Sequence, residues 1–155
     1  MLSALVAALH YLTLALGLGS VFFRGRAFRA VAAEGTSPQP KTLQGLLAAD
    51  TAWGIAAGLW IATGFARAFS GLEKGTEFYL ANHLFHLKLG LFLAVFLLEL
   101  WPMITLIRWR IALKRRLPLP LVDRVATFAR INDAELLGVV TIVFVASAMA
   151  RGLAF

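Results

Sequence analysis

The chain contains no cysteine, which excludes disulfide staples, cysteine-ligated zinc, iron–sulfur clusters and thiol nucleophiles. Charge is also scarce: Lys, Arg, Asp and Glu make up 15% of the residues, against about 25% in an average soluble domain. Acids are the rarer sign, 8 against 15 basic residues, which leaves a formal net charge of +7. A surplus of that size raises the question of nucleic acid. The basic residues, however, flank long apolar stretches instead of forming one continuous patch, so they read as a topology signal and no nucleic-acid partner is expected. What the chain has in excess is hydrocarbon, with 60% of its residues hydrophobic. The apolar residues gather into four runs, Leu2–Phe23, Leu43–Ala66, Leu84–Ile107 and Ala134–Ala150. About 20 apolar residues cross ~30 Å of hydrocarbon at a rise of ~1.5 Å each, so the runs are of membrane-spanning length.

The fold class that follows is all-α, an integral membrane four-helix up-down bundle forming one transmembrane domain over residues 1–155. Open sheets cannot satisfy their backbone in lipid, and runs this long exceed any barrel strand. Met1–Gly19 lacks a basic leading segment and is too long for a signal-peptide core, so it reads as a retained first helix. Arg24, Arg26, Arg29 and Lys41 lie between the first two runs, and Arg108, Arg110, Lys114, Arg115, Arg116 and Arg124 between the last two. The positive-inside rule makes both loops cytoplasmic and both termini periplasmic, in a multi-pass protein of a bacterial inner membrane. Ala33–Lys41, with Gly35, Ser37, Pro38 and Pro40, is a breaker segment. Pro118 and Pro120 end the third helix, and Leu121–Ile131 is an amphipathic lead into the fourth. In the outer loop, Glu73, Lys74, Glu77, Phe78 and Tyr79 fit an interfacial belt.

Helical phase assigns faces. Ser3, His10, Thr13, Gly17, Ser20 and Arg24 form one polar stripe on the first run, expected to face the bundle. Lys88, Phe92, Val95 and Glu99 share a face of the third, and His86 lies about 200° away from Lys88 at the helical repeat. His83 is placed in the interface. Gly54 and Gly58 make a small-xxx-small pair, expected to seat a neighbouring helix, as is Gly17 with Ser20.

Depth then separates two polar layers. His10 sits roughly 12 Å and Lys88 roughly 7 Å below the outer boundary by helical rise. Asp50 and Glu99 lie toward the inner side, where Asp133 and Glu135 open the fourth run near Arg124 and Arg130. The inner acids are expected to pair with Arg24, Arg26, Arg108, Arg124 or Arg130 and lock helices together, Asn132 and Asp133 also capping the fourth helix. A proton path through Asp50 and Glu99 is the alternative. In the outer layer, a neutral imidazole inside a bundle is a ligand type for haem iron, which makes His10 a candidate metal ligand and Lys88 and His86 candidate cofactor contacts. The bland alternatives are a hydrogen bond from His10 to another helix and snorkelling of Lys88 to the headgroups.

The runs Ala49-Asp50-Thr51-Ala52-Trp53-Gly54, Thr63-Gly64-Phe65 to Phe69, Phe78-Tyr79-Leu80-Ala81-Asn82 into Leu84-Phe85-His86-Leu87-Lys88, and Ile107-Arg108-Trp109-Arg110 resemble a bacterial family of four-span membrane proteins catalogued as a domain of unknown function. The resemblance covers nearly the whole length and implies no assigned activity. His10 is also distantly similar in position to an early-helix histidine of HemJ-type protoporphyrinogen oxidases and CopD-like membrane domains, and Lys88 to a lysine near the start of the third helix in the HemJ type. That likeness implies b-type haem or another tetrapyrrole as a cofactor. Two functions are therefore carried forward: a membrane protein binding a tetrapyrrole in its outer half, and a non-catalytic accessory or assembly subunit. The expected partners are the lipid bilayer, other membrane proteins or a homo-oligomer. A small proton-coupled transporter fits less well, since no inverted repeat and no broken helix is visible.

Overall fold

In a computed structural model of the chain, residues 1–71 and 75–152 are described; Glu73 and Lys74 of the outer loop lie outside them. Among the described residues there is no strand. Four long helices, α1 (Leu2–Glu34), α2 (Pro40–Phe69), α4 (His83–Arg115) and α5 (Val125–Ala150), are joined by short segments, with a small helix α3 (Thr76–Ala81) before α4 and a 3₁₀ turn (Val122–Arg124) before α5. All four are long and apolar enough to cross a membrane.

Each is longer than its apolar run. α1 continues eleven residues beyond Phe23, through Arg24, and ends where Gly35 takes φ 71° and returns its N–H to the Ala32 carbonyl. Pro40 opens α2, at the position where a missing N–H costs nothing. The Glu34 carboxylate bridges this breaker segment, accepting from the Gln39 N–H at 2.6 Å and the Thr42 hydroxyl at 2.7 Å. The Asn82 side chain caps α4 by accepting from the Leu84 N–H at 2.9 Å. α4 stops at Arg116, in the left-handed region, ahead of Pro118 and Pro120. The Trp109 indole donates to the Pro120 carbonyl at 2.6 Å and ties this loop back to the helix. The fourth helix begins at Val125, not near residue 134. Asn132 and Asp133 are therefore about two turns inside it at 3.6 residues per turn, and the capping role expected for them is corrected.

Cross-helix contacts give the direction of each helix. His10 meets Trp60 and Thr63, Arg24 meets Asp50, and Glu34 meets Thr42, so α2 runs antiparallel to α1. Trp101 packs on Phe128, and Gly138 faces Val95, so α5 is antiparallel to α4. α1 also packs along α5, while α2 and α4 approach chiefly through long side chains. The result is an up-down bundle with α1 between α2 and α5.

Its interior is three stacked apolar clusters. One, at the arginine-rich end, holds Phe28, Leu46, Leu106, Trp109 and Phe128. The middle one holds Val21, Trp53, Val95, Val139 and Ile142, and the far one Ala68, Tyr79, Phe85 and Met149. Tyr79 is thus buried in the core, where an interfacial belt position was expected. Only 17–28% of the apolar windows is buried within the chain, so most of their surface faces outward to lipid or to other proteins.

Gly54 and Gly58 contradict the packing expectation. Both are exposed, and a Cβ on either meets nothing within 4 Å. The contact face of α2 is set by its buried residues Leu43, Leu46, Trp53 and Ala56, and Gly54 lies about 100° round from Trp53. Of the small residues picked out by spacing, Gly17 does seat a helix: a Cβ there would touch Ala56 and Trp53 at 3.6 Å.

Candidate functional site

The polar stripe of α1 faces inward: Thr13, Gly17, Ser20 and Arg24 are buried, and Ser3 and His10 half-buried. Ser20 and Thr13 return their hydroxyls to carbonyls one turn back, so neither leaves an unmet donor among the hydrocarbon. Arg24 has no such local acceptor. Its guanidinium lies inside the bundle with no solvent exposure, and it draws its partners from all three other long helices.

The geometry is complete on the donor side. Nε donates to Asn132 Oδ1 at 2.8 Å; Nη1 to Asp50 Oδ1 at 3.1 Å and Glu99 Oε1 at 2.7 Å; Nη2 to Glu99 Oε2 at 2.6 Å and Glu135 Oε2 at 2.5 Å. Those contacts use each of the five N–H groups a guanidinium possesses. The pairing with Glu99 is a two-pronged fork, the strong geometry for arginine and carboxylate. The aromatic faces of Trp53 and Phe28 lie 5.6 and 5.8 Å from the guanidinium carbon and add a cation–π contribution.

An outer ring holds these partners in turn. Trp53 Nε1 donates to Glu99 Oε2 at 3.1 Å. Arg110 Nη2 donates to Asp50 Oδ2 at 2.7 Å and to the Leu47 carbonyl at 3.0 Å. Asn132 Nδ2 donates to the Val21 carbonyl at 2.9 Å, and a Cβ at Gly25 would come within 2.7 Å of that nitrogen, so a glycine is needed for the approach. Asp50, Glu99 and Glu135 thus meet in one cluster. Asp133 does not join it; it is exposed and pairs with Arg29 at 2.9 Å. Arg130 is exposed and makes no ion pair in the cluster. Of the arginines expected as partners it is Arg24, and not Arg124 or Arg130 near the start of α5, that takes these acids, joined by Arg110, which was not among them. The reason is that α5 begins earlier, which carries Glu135 inward.

Arg24 is among the arginines expected to pair with these acids; its place as the hub, and Asn132, Trp53 and Arg110 around it, are what sequence reasoning did not single out. The available signal was Arg24 closing the polar stripe of α1. Its weight as a topology marker hid that.

The outer layer is separate. His10 and Arg24 are fourteen positions apart on α1, about 21 Å of helix. The His10 ring is half-buried against α2. Trp60 Nε1, which can only donate, lies 3.0 Å from His10 Nε2, so that nitrogen is the unprotonated acceptor. Nδ1 then carries the proton and donates to Thr63 Oγ1 at 2.8 Å, whose own hydrogen reaches the Leu59 carbonyl at 2.7 Å. Lys88 is half-buried on the inward face of α4, its Nζ 5.1 Å from the centroid of the Phe85 ring. His86 is exposed, its Nδ1 3.1 Å from the Asn82 carbonyl, and His83 is exposed. An iron ligand needs a free imidazole lone pair. In His10 that lone pair is engaged by Trp60, so the donor set in this arrangement does not fit haem iron, and no chemistry through such a group is derived.

Four spanning helices knotted at depth by an arginine define the class, an all-α integral membrane protein. The chain belongs to the family described as predicted membrane protein (DUF2214), which matches residues 2–154. No curated protein and no solved structure matches it.

Proposed function

We propose that the protein is a non-catalytic membrane subunit, an accessory or assembly component that works by packing its helices against other membrane proteins. The observation that carries this reading is the way the polar groups at depth are committed. Arg24 uses every N–H on partners within the chain, and His10 uses both ring nitrogens on α2. Groups committed in this way lock helices and are poorly placed to bind substrate. The outward surface supports the same reading. It is apolar over most of each span, and on α2 it presents Gly54, Gly58 and Ala62 one turn apart, a face on which another helix can come close.

The test is purification from native membranes in mild detergent, followed by haem titration. The expected result is a sample with no Soret band, before or after added haem, that carries a second membrane protein at fixed stoichiometry. Gly58→Leu should release that protein without changing the melting temperature. A Soret band that disappears in His10→Ala would replace this reading with the tetrapyrrole one.

A further inference from the structure

The Arg24 cluster does not balance in charge. Three carboxylates, Asp50, Glu99 and Glu135, face two guanidiniums, Arg24 and Arg110. Arg110 reaches Asp50 alone among them, so Arg24 is left to serve Glu99 and Glu135 together as well as its share of Asp50. The charged and polar groups turned on the site are Arg24 from α1, Asp50 and the Trp53 indole from α2, Glu99 and Arg110 from α4, and Glu135 with the Asn132 amide from α5. The nearby Arg29 is spent on Asp133 at the surface.

The two glutamates are not treated alike. Glu99 accepts three N–H groups, two from Arg24 and one from Trp53. Glu135 accepts one, on Oε2; its Oε1 is buried with no hydrogen-bond partner among the described residues, and the side chain has no exposure. A carboxylate ringed by donors holds its negative charge well, while a bare one in a low-dielectric interior does not.

We infer that the cluster is a proton-binding site: Glu135 carries one proton as a neutral carboxylic acid, and that proton closes the charge balance of the helix knot. This goes beyond the accessory-subunit reading, since it assigns the site a ligand of its own. Exposure falls stepwise toward it, from 38% at Arg110 through 13% at Asp50 and 12% at Glu99 to none at Glu135. The proton therefore communicates with the end of the bundle that bears the arginine-rich loops.

Infrared spectroscopy of the full chain in lipid nanodiscs at neutral pH tests this. The wild type should show the carbonyl stretch of a protonated carboxylic acid, shifted in heavy water. Glu135→Gln should abolish it. Glu99→Gln should abolish it as well, because Glu135 then has Arg24 nearly to itself and ionises; this variant carries the test if Glu135→Gln does not fold. Arg110→Gln should raise the band, since Asp50 then competes for Arg24. A wild type without the band, a band that survives both glutamine variants, or one indifferent to Arg110→Gln would each overturn the proposal.

Discussion

At the scale of single residues, Arg24 shows why a charge in a spanning helix is tolerable only as part of a set. Alone at the centre of a bilayer it costs at least ~2.5–3.5 kcal/mol on insertion scales. Here it touches α2, α4 and α5 together, and removing it strands three acids in the interior. The prediction is an asymmetry. Arg24→Leu should destabilise the purified protein by about 3–5 kcal/mol, the usual cost of leaving buried charge without its partner. Asp50→Asn should cost markedly less, because Arg24 keeps Glu99, Glu135 and Asn132. Thermal unfolding in detergent, followed by circular dichroism, compares the two. Equal losses would mean that Arg24 is not the hub. His10 makes the complementary point. Its expected hydrogen bond and its expected ligand role compete for the same lone pair, and Trp60 holds it.

At the scale of elements, small residues decide how closely helices approach, but only on the face that meets a neighbour. Gly17 sits on such a face, against Ala56 and Trp53, and Gly138 more tightly still, since a Cβ there would come within 2.5 Å of Val95 Cγ2. Gly17→Leu and Gly138→Leu should each cost about 1–3 kcal/mol by overpacking, whereas Gly54→Leu should stay within about 0.5 kcal/mol in the isolated protein. Melting temperatures measured side by side check the contrast; a large loss at Gly54 would put that face inside the bundle. The spacing of Gly54 and Gly58 was legible in the sequence, but spacing fixes a stripe and not the direction it points. The polar stripe from Ser3 to Arg24 could be oriented, because polar atoms have a reason to turn away from lipid. Helix ends were legible where Gly35, Pro40 and Pro118 mark them. They were missed where hydropathy fell before the helix did, at Arg24 and ahead of Ala134. In both places the polar residues beyond the apolar run, Arg24 and Asn132, are satisfied by each other across two helices. A one-dimensional profile cannot register such a bond, nor can it say which acid meets which arginine.

At the scale of the whole molecule, the four apolar helices mark the chain as a membrane protein, and the distribution of arginine is the basis of the orientation expected for it. Exposed basic residues crowd one end of the bundle. Arg26, Arg29 and Lys41 stand at the α1–α2 junction, and Arg108, Lys114, Arg115, Arg116 and Arg124 at the α4–α5 junction. Arg24 and Arg110 belong in a different account, because both are spent within the knot and one is fully buried. Without these two, the exposed basic residues still crowd one end, the asymmetry on which the positive-inside rule acts. The expected topology therefore has the short Thr36–Gln39 loop in the cytoplasm and both termini on the opposite side. A reporter enzyme active only outside the cytoplasm should be active when fused after Phe155 and silent when inserted at Ser37. The reverse pattern would invert the bundle. It would also turn the graded route to Glu135 toward the outside, with the helix knot itself unchanged.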